Sequence, residues 1–172
     1  MRKRKDNVIL IGFMGSGKTT AGISLSYKLQ CTFTDTDKMI ERQEGRSISE
    51  IFAVEGERYF REKETELLRK WREGKARQVF SVGGGTPLSE ENRKLLRALG
   101  TVVYLKVSAE TVCERLKGDS TRPLLQGDDP MEKIRKLMGE REALYQEAAD
   151  IVIEADGKRT AQVVEEIAEK LR

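Results

Sequence analysis

The chain is expected to be an α/β protein, with a five-stranded parallel sheet covered by helices on both faces in a three-layer α/β/α arrangement. Three observations carry that expectation. Short apolar runs alternate with helical stretches along the 172 residues. No internal repeat or interdomain linker breaks this alternation. The glycine-richest turns and a pair of aspartates all follow strands, the edge where such sheets bind ligands.

Each element has its own signal. Val8-Ile9-Leu10-Ile11 is a continuous apolar run, as a strand buried on both faces requires. Gly12-Phe13-Met14-Gly15-Ser16-Gly17-Lys18-Thr19-Thr20 follows, so a helix opens at Lys18 and runs over 18–30. Thr32-Phe33-Thr34 is a short second strand that ends at Asp35-Thr36-Asp37. Residues 38–73 read as helical, with interruptions near Gly45-Arg46 and at Gly56. The third strand covers 78–82 and is closed by Gly83-Gly84-Gly85-Thr86-Pro87.

Ser89 caps a helix through Leu99, with Glu91 and Asn92 in its first turn. Residues 101–107 form a strand, and Ser108 caps a helix to about 117. Residues 118–129 are polar, contain Gly and Pro, and read as a loop. Pro130 suits the first position of a helix reaching Ala149. Ile151-Val152-Ile153 is the last strand, and 160–171 a final amphipathic helix.

No repeat, low-complexity segment or linker divides residues 1–172, so a single domain is expected. Segments 38–73 and 118–129 are longer than plain crossovers need. They are the natural places for a helical acceptor-binding insertion and a mobile lid.

Composition narrows the function classes. Hydrophobic residues make up 38%, but they are clustered and periodic, which argues against disorder. Lys+Arg 32 against Asp+Glu 29 gives +3 with both signs mixed, so nucleic acid is not an expected partner. Arg2-Lys3-Arg4-Lys5 is the one basic run and reads as a solvated terminus. The apolar stretch after Asn7 is too short for a signal peptide and is cut off by Gly15-Ser16-Gly17-Lys18. No run approaches the ~20 apolar residues of a membrane span. The expected protein is therefore cytoplasmic; a monomer is also expected. Cys31 and Cys113 lack C-x-x-C spacing and read as reduced, small hydrophobes. Histidine is absent, so a zinc site is not expected, and proton transfer falls to a carboxylate, lysine, tyrosine or water.

The 12–20 segment matches G-x-x-x-x-G-K-[ST], with strand, glycine turn and helix in the required order. Glycines let backbone N–H groups curl around phosphate, and the helix end adds donors and a favourable dipole. Gly15, Ser16, Gly17, Lys18, Thr19 and Thr20 are thus candidates to hold the phosphates of a nucleoside triphosphate. Lys18 would reach the β- and γ-phosphates, and Thr19 would ligate Mg²⁺.

The third strand ends in Gly83, so a metal-holding carboxylate must come from elsewhere. Asp35 and Asp37, at i and i+2 after a strand, can face one crevice. Asp35 is then the metal partner, directly or through water, and Asp37 the acceptor of the attacking hydroxyl's proton. The alternative is that Thr34-Asp35-Thr36-Asp37 merely caps the next helix. Gly83, Gly84 and Gly85 suggest a backbone that approaches a ligand closely. Arg122, in Thr121-Arg122-Pro123-Leu124-Leu125, is a candidate to neutralise charge as the γ-phosphoryl moves. Arg141 and Tyr145 share one helix face at i and i+4.

Taken together, G-F-M-G-S-G-K-T-T (12–20), T-D-T-D (34–37), G-R-S-I-S-E-I-F (45–52), G-E-R-Y-F-R-E-K-E (56–64), S-V-G-G-G (81–85), V-V-Y-L (102–105), R-P-L-L (122–125) and E-R-x-x-L-Y (140–145) closely resemble the shikimate kinase family. That family belongs to the nucleoside-monophosphate-kinase-like branch of P-loop enzymes. The resemblance implies transfer of the ATP γ-phosphoryl to the 3-hydroxyl of shikimate, a step toward chorismate and the aromatic amino acids.

It further implies that Asp37, Gly84, Arg61 and Arg141 bind shikimate, with Gly83 and Gly85 beside them. The arginines would grip the carboxylate, Phe52 and Phe60 would wall the ring, and Glu64 would orient Arg61. Lys18, Asp37 and Arg122 are the implied catalytic residues, and Arg122 the implied lid residue over ATP. The implied adenine slot is less regular here: Arg115 suits one side, but 156–160 lacks the proline common on the other. A gluconate kinase would share the phosphate loop without the full Arg61, triple-glycine and Arg141 set. A guanine-nucleotide switch would need an N-K-x-D-type segment, which is missing.

Overall fold

The structure is a computed structural model and describes residues 6–74, 76–117, 127 and 129–172. Its five strands are β1 (Val8–Ile11), β2 (Thr32–Asp35), β3 (Gln78–Ser81), β4 (Thr101–Lys106) and β5 (Ile151–Glu154). All pair in parallel, in the order β2-β3-β1-β4-β5. The most apolar run takes the central place: Ile9 of β1 is in register with Phe80 on one side and Val102 on the other. Connections from β1 and β4 diverge around this centre, which opens a crevice beyond the carboxyl ends of the strands.

Eight α-helices occur among the described residues: α1 (Lys18–Leu29), α2 (Thr36–Glu44), α3 (Ile48–Glu55), α4 (Glu57–Arg72), α5 (Glu90–Leu99), α6 (Ala109–Arg115), α7 (Pro130–Ala148) and α8 (Thr160–Lys170). Right-handed crossovers put α1 and α8 together on one face, and α4, α5 and α7 on the other. The α/β fold with five parallel strands is as the sequence implies.

The interruptions in the 38–73 region have physical causes. Gly45 ends α2 in the left-handed conformation at φ 66°. Ser47 then caps α3 by accepting the Glu50 N–H. These helices enclose a small apolar cluster of Ile40, Ile51, Phe60 and Leu67. Trp71 packs against this cluster and also stacks on Phe80 at 4.4 Å, which joins the insertion to the main core.

Four local details differ from the sequence reading. The helix after β2 begins at Thr36, earlier than expected, because the Asp35 carboxylate accepts the Lys38 N–H at 3.2 Å and serves as N-cap. After the glycines, Thr86–Leu88 winds into a 3₁₀ turn, closed by bonds from Thr86 N to Gly83 O and from Leu88 N to Gly85 O. Helix α6 stops at Arg115, short of the expected end. Buried Asn7 receives the Gln78 N–H and donates to Leu99 O, so it ties β1 to both β3 and α5. Of the expected lid, residues 118–126 and 128 lie outside the described residues, and Arg122 with them. No described helix is long and apolar enough to cross a membrane.

Candidate active site

Because β1 is central, the loop that follows it opens onto the crevice. Gly15 and Gly17 take φ 77° and 92°, values that a side chain would strain, and Gly17 leads directly into α1. The first turn of α1 therefore presents N–H groups that no intrahelical carbonyl can accept. Lys18 lies back across the loop, donating to Gly12 O at 2.7 Å and Phe13 O at 3.1 Å. Gly15, Gly17, Lys18, Thr19 and Thr20 line the resulting hollow. Ser16 does not; its N–H bonds to Phe13 O, and its hydroxyl is buried beneath the loop.

Asp35 and Asp37 line the same hollow, though not by strand alternation alone. Asp35 closes β2, whereas Asp37 stands in the first turn of α2. The two carboxylate oxygens of Asp35 have separate duties. Oδ1 caps α2, and Oδ2 accepts the Thr19 hydroxyl at 3.2 Å. The capping and site alternatives for this segment are therefore both realised. Thr19 and Asp35 form a pair of hard oxygen ligands at the loop mouth, which suits a small divalent cation. No cluster of three or more His, Cys, Asp or Glu suited to a metal occurs among the described residues. A cation here would have to complete its shell from phosphate and water.

Beyond Asp37 the hollow continues into a second, of about 480 Å³, within the ordinary range for small-molecule pockets. Phe52, Phe60, Arg61, Gly83, Gly84, Gly85 and Arg141 are in its wall. Phe52 and Phe60 meet at 5.1 Å and provide an apolar side. Gly83 is held by the Thr36 hydroxyl, which accepts its N–H at 3.0 Å. The N–H groups of Gly84 and Gly85 have no acceptor among the described residues.

Two guanidinium groups flank this turn. A Cβ on Gly84 would lie 3.4 Å from Arg141 Nη1, and one on Gly85 would collide with the Arg61 guanidinium. Arg141 is buried and lies over the Phe13 ring at 5.6 Å. Arg61 is held by Glu57 and, at 2.5 Å, by Glu64. Glu64 is fully buried and also accepts the Thr86 hydroxyl. Burial pushes the Glu64 carboxyl up to about 7; Arg61 and Arg141 pull against this, and Asp37 adds to it. Tyr145 donates to Gly84 O at 2.6 Å. Burial raises its phenol, and the adjacent Arg141 opposes the shift.

The structure thus brings every described phosphate, metal and shikimate candidate except Ser16 into the lining of one cleft, with Glu64 buried behind Arg61 and Arg115 outside the lining. Thr36 and Thr86 contribute contacts that the sequence did not single out, and Tyr145, read there only as sharing a face with Arg141, adds its hydroxyl. The signal available for them was position: Thr36 lies between the two aspartates, Thr86 follows the glycines, and Tyr145 is one turn from Arg141. On the outer side of the phosphate loop, Arg115 donates to Gly15 O at 2.9 Å. Nearby, Asp156 accepts the Ser108 N–H.

Known proteins resemble the chain in both sequence and fold. A family model described as shikimate kinase matches residues 14–172. The shikimate kinase of Moorella thermoacetica is 48% identical over 167 residues, covering 96% of this chain and 94% of the relative. That of Deinococcus radiodurans is 47% identical over 164 residues, covering 95% and 82% respectively. Among solved structures, shikimate kinase from Acinetobacter baumannii in complex with shikimate superposes with a TM-score of 0.92 at 39% identity, covering 96% of this chain and 92% of that one. With the family match extending over the loop, the insertion and the glycine turn alike, the chain belongs to the shikimate kinase family.

Proposed function

We infer that this chain transfers the γ-phosphoryl group of ATP to the 3-hydroxyl of shikimate, yielding ADP and shikimate 3-phosphate on the route to chorismate. The observation that carries the reading is the continuity of the phosphate-loop hollow with a pocket holding two guanidiniums beside a glycine turn. An anionic polyol needs those features: forked donors for its carboxylate, acceptors for its hydroxyls, and an apolar wall for its ring.

In this reading Gly15, Gly17, Lys18, Thr19 and Thr20 hold the ATP phosphates, and Ser16, whose N–H is bonded to Phe13 O, joins them only if that turn opens as nucleotide enters. Lys18 exchanges its contacts with the Gly12 and Phe13 carbonyls for phosphate oxygens as nucleotide enters. Thr19 and Asp35 hold Mg²⁺, which when bound offsets phosphate charge and orients the triphosphate. Asp37, at the junction of the two hollows, accepts a hydrogen bond from the attacking hydroxyl and takes its proton. A loose phosphoryl-transfer transition state asks little more of a base. Arg61 and Arg141 grip the shikimate carboxylate, while Gly83, Gly84 and Gly85 form the adjoining wall.

Arg122 is assigned from the sequence to a lid over 118–129 that closes on the phosphates. Residues 38–73 serve as the acceptor-binding insertion within a single kinase domain of residues 1–172. One chain supplies all these groups, which favours a monomer, and the two free cysteines suit a cytoplasmic setting. Neither nucleic acid nor a membrane is a partner in this scheme.

The test is ADP release with Mg²⁺-ATP, comparing shikimate, gluconate and nucleoside monophosphates as acceptors. Shikimate-dependent turnover is expected to exceed the others by orders of magnitude. Turnover with gluconate or a nucleotide but not shikimate would overturn the assignment.

A further inference from the structure

We propose that the Tyr145 hydroxyl is a positioning group for acceptor binding, acting by holding the Gly84 carbonyl so that the Gly85 N–H is aimed into the shikimate side of the cleft. The proposal rests on the shikimate reading and adds to it a residue that touches no substrate.

The argument starts from a buried phenol. Tyr145 is 1% exposed, on the inner face of α7, with its ring tilted against Tyr104 at 5.2 Å. A phenylalanine would fill the same space without bringing a polar atom into the core. The hydroxyl donates to Gly84 O at 2.6 Å, reached across 61 residues of sequence, and on its other side meets the Arg141 guanidinium. No other donor to that carbonyl occurs among the described residues.

That single bond has directional consequences. In a trans peptide the carbonyl and the following N–H point to opposite sides. Fixing the Gly84 carbonyl toward α7 therefore fixes the Gly85 N–H away from α7. Both glycines line the cleft, and neither N–H has an acceptor among the described residues. The rest of the turn is secured independently. Gly83 N–H is held by Thr36, Gly83 O by Thr86 N, and Gly85 O by Leu88 N. The Gly84–Gly85 peptide is the part left to Tyr145, and glycine on both sides makes it the softest link.

The same helix carries Arg141 one turn earlier, with its Nη1 close to Gly84. A rigid bond from α7 to the turn thus sets the distance between a carboxylate-binding arginine and the backbone donors beside it. Orientation of this kind affects how well the acceptor is held, and leaves the nucleotide side alone.

The test is Tyr145→Phe, with Tyr104→Phe as its control. Tyr104 is likewise buried, but its hydroxyl donates to Glu142 and not to the glycine turn. A merely structural role predicts similar loss of thermal stability in both variants, with unchanged KM for either substrate. The positioning role predicts that Tyr145→Phe alone raises shikimate KM roughly fivefold, the scale of one net hydrogen bond. ATP KM should stay within about twofold and kcat should be largely retained, since the phosphate loop is untouched. Equal shikimate KM in wild type and Tyr145→Phe would overturn the proposal, as would a parallel rise in Tyr104→Phe. If the wild-type protein itself fails to turn over shikimate, the functional assignment falls first and this inference with it.

Discussion

Arg61 and Glu64, one turn apart on α4, form a 2.5 Å ion pair whose acidic member is completely shielded from solvent. The pair is a junction between elements. The second oxygen of Glu64 receives Thr86, immediately after the glycine turn, so α4 and that turn are locked together through one carboxylate. Breaking one partner of such a buried network leaves the other unsatisfied, which is its main energetic consequence.

This junction predicts a pH dependence. Glu64 holds its proton up to about 7 in the folded protein because burial outweighs Arg61. Its folded-state value is raised above the ordinary one, so its contribution to stability is complete at acid pH, below the unfolded value. That contribution is lost as pH rises through about 7. Binding the shikimate carboxylate beside Arg61 adds negative charge near Glu64 and raises its value further. Shikimate affinity should therefore weaken as pH rises from about 6 to about 8, while ATP affinity stays flat. Glu64→Gln should flatten both the stability slope and the affinity slope. Calorimetric titrations of wild type and variant across this range would check it, and an unchanged slope in the variant would refute it.

Lys18→Ala tests the other end of the cleft. The ammonium is positioned over the loop by the Gly12 and Phe13 carbonyls, so its loss removes a preorganised charge and little of the core. Phosphoryl transfer should fall by at least about a hundredfold, the scale for deleting one transition-state donor. Shikimate binding in the absence of ATP should be preserved. ADP release and direct shikimate titration distinguish the two effects.

The fold was legible because its signals are local. Val8–Ile11 is apolar without interruption since it pairs on both sides, and Ser89, Ser108 and Pro130 occupy the helix starts they imply. Lys18, Thr19, Asp35, Asp37, Arg61 and Arg141 are charged or hydroxyl side chains on recognisable motifs, and all line the cleft. What the sequence did not reveal are tertiary hydrogen bonds. Nothing near Asn7 indicates that it will link β3 and α5, and nothing near Tyr145 points to a carbonyl 61 residues away. Asp35 was open to two readings because capping and site roles ask for the same carboxylate, and only the geometry shows one oxygen assigned to each.

Gly85→Ala separates space from backbone conformation. Gly85 has φ −89° and ψ −10°, which alanine adopts readily, so the substitution carries no conformational penalty. The added methyl would instead occupy the position of the Arg61 guanidinium, the far end of a flexible side chain. The variant should fold, with Arg61 displaced and a melting temperature lowered only as far as the loosened Arg61–Glu64 pair requires. Shikimate KM should rise by at least about tenfold, the usual scale for losing a charged hydrogen-bond partner, with ATP KM little changed. Large destabilisation with intact KM would mean that the glycine serves the fold and not the acceptor.

Arg61→Lys asks whether the charge or the fork matters. The guanidinium uses Nη1 for Glu64 and both Nε and Nη2 for Glu57, an arrangement that presents a planar face along the turn. Lysine keeps the positive charge but is a point donor on a flexible stem. It can neutralise Glu64, so the buried carboxylate is not abandoned and the protein should remain folded. It cannot pair with a carboxylate through two parallel N–H groups while holding Glu64 as well. Shikimate KM should therefore rise by about tenfold or more, with ATP KM changed by less than about twofold. Equal loss on both substrates would place Arg61 in the general architecture of the cleft and remove it from the acceptor site.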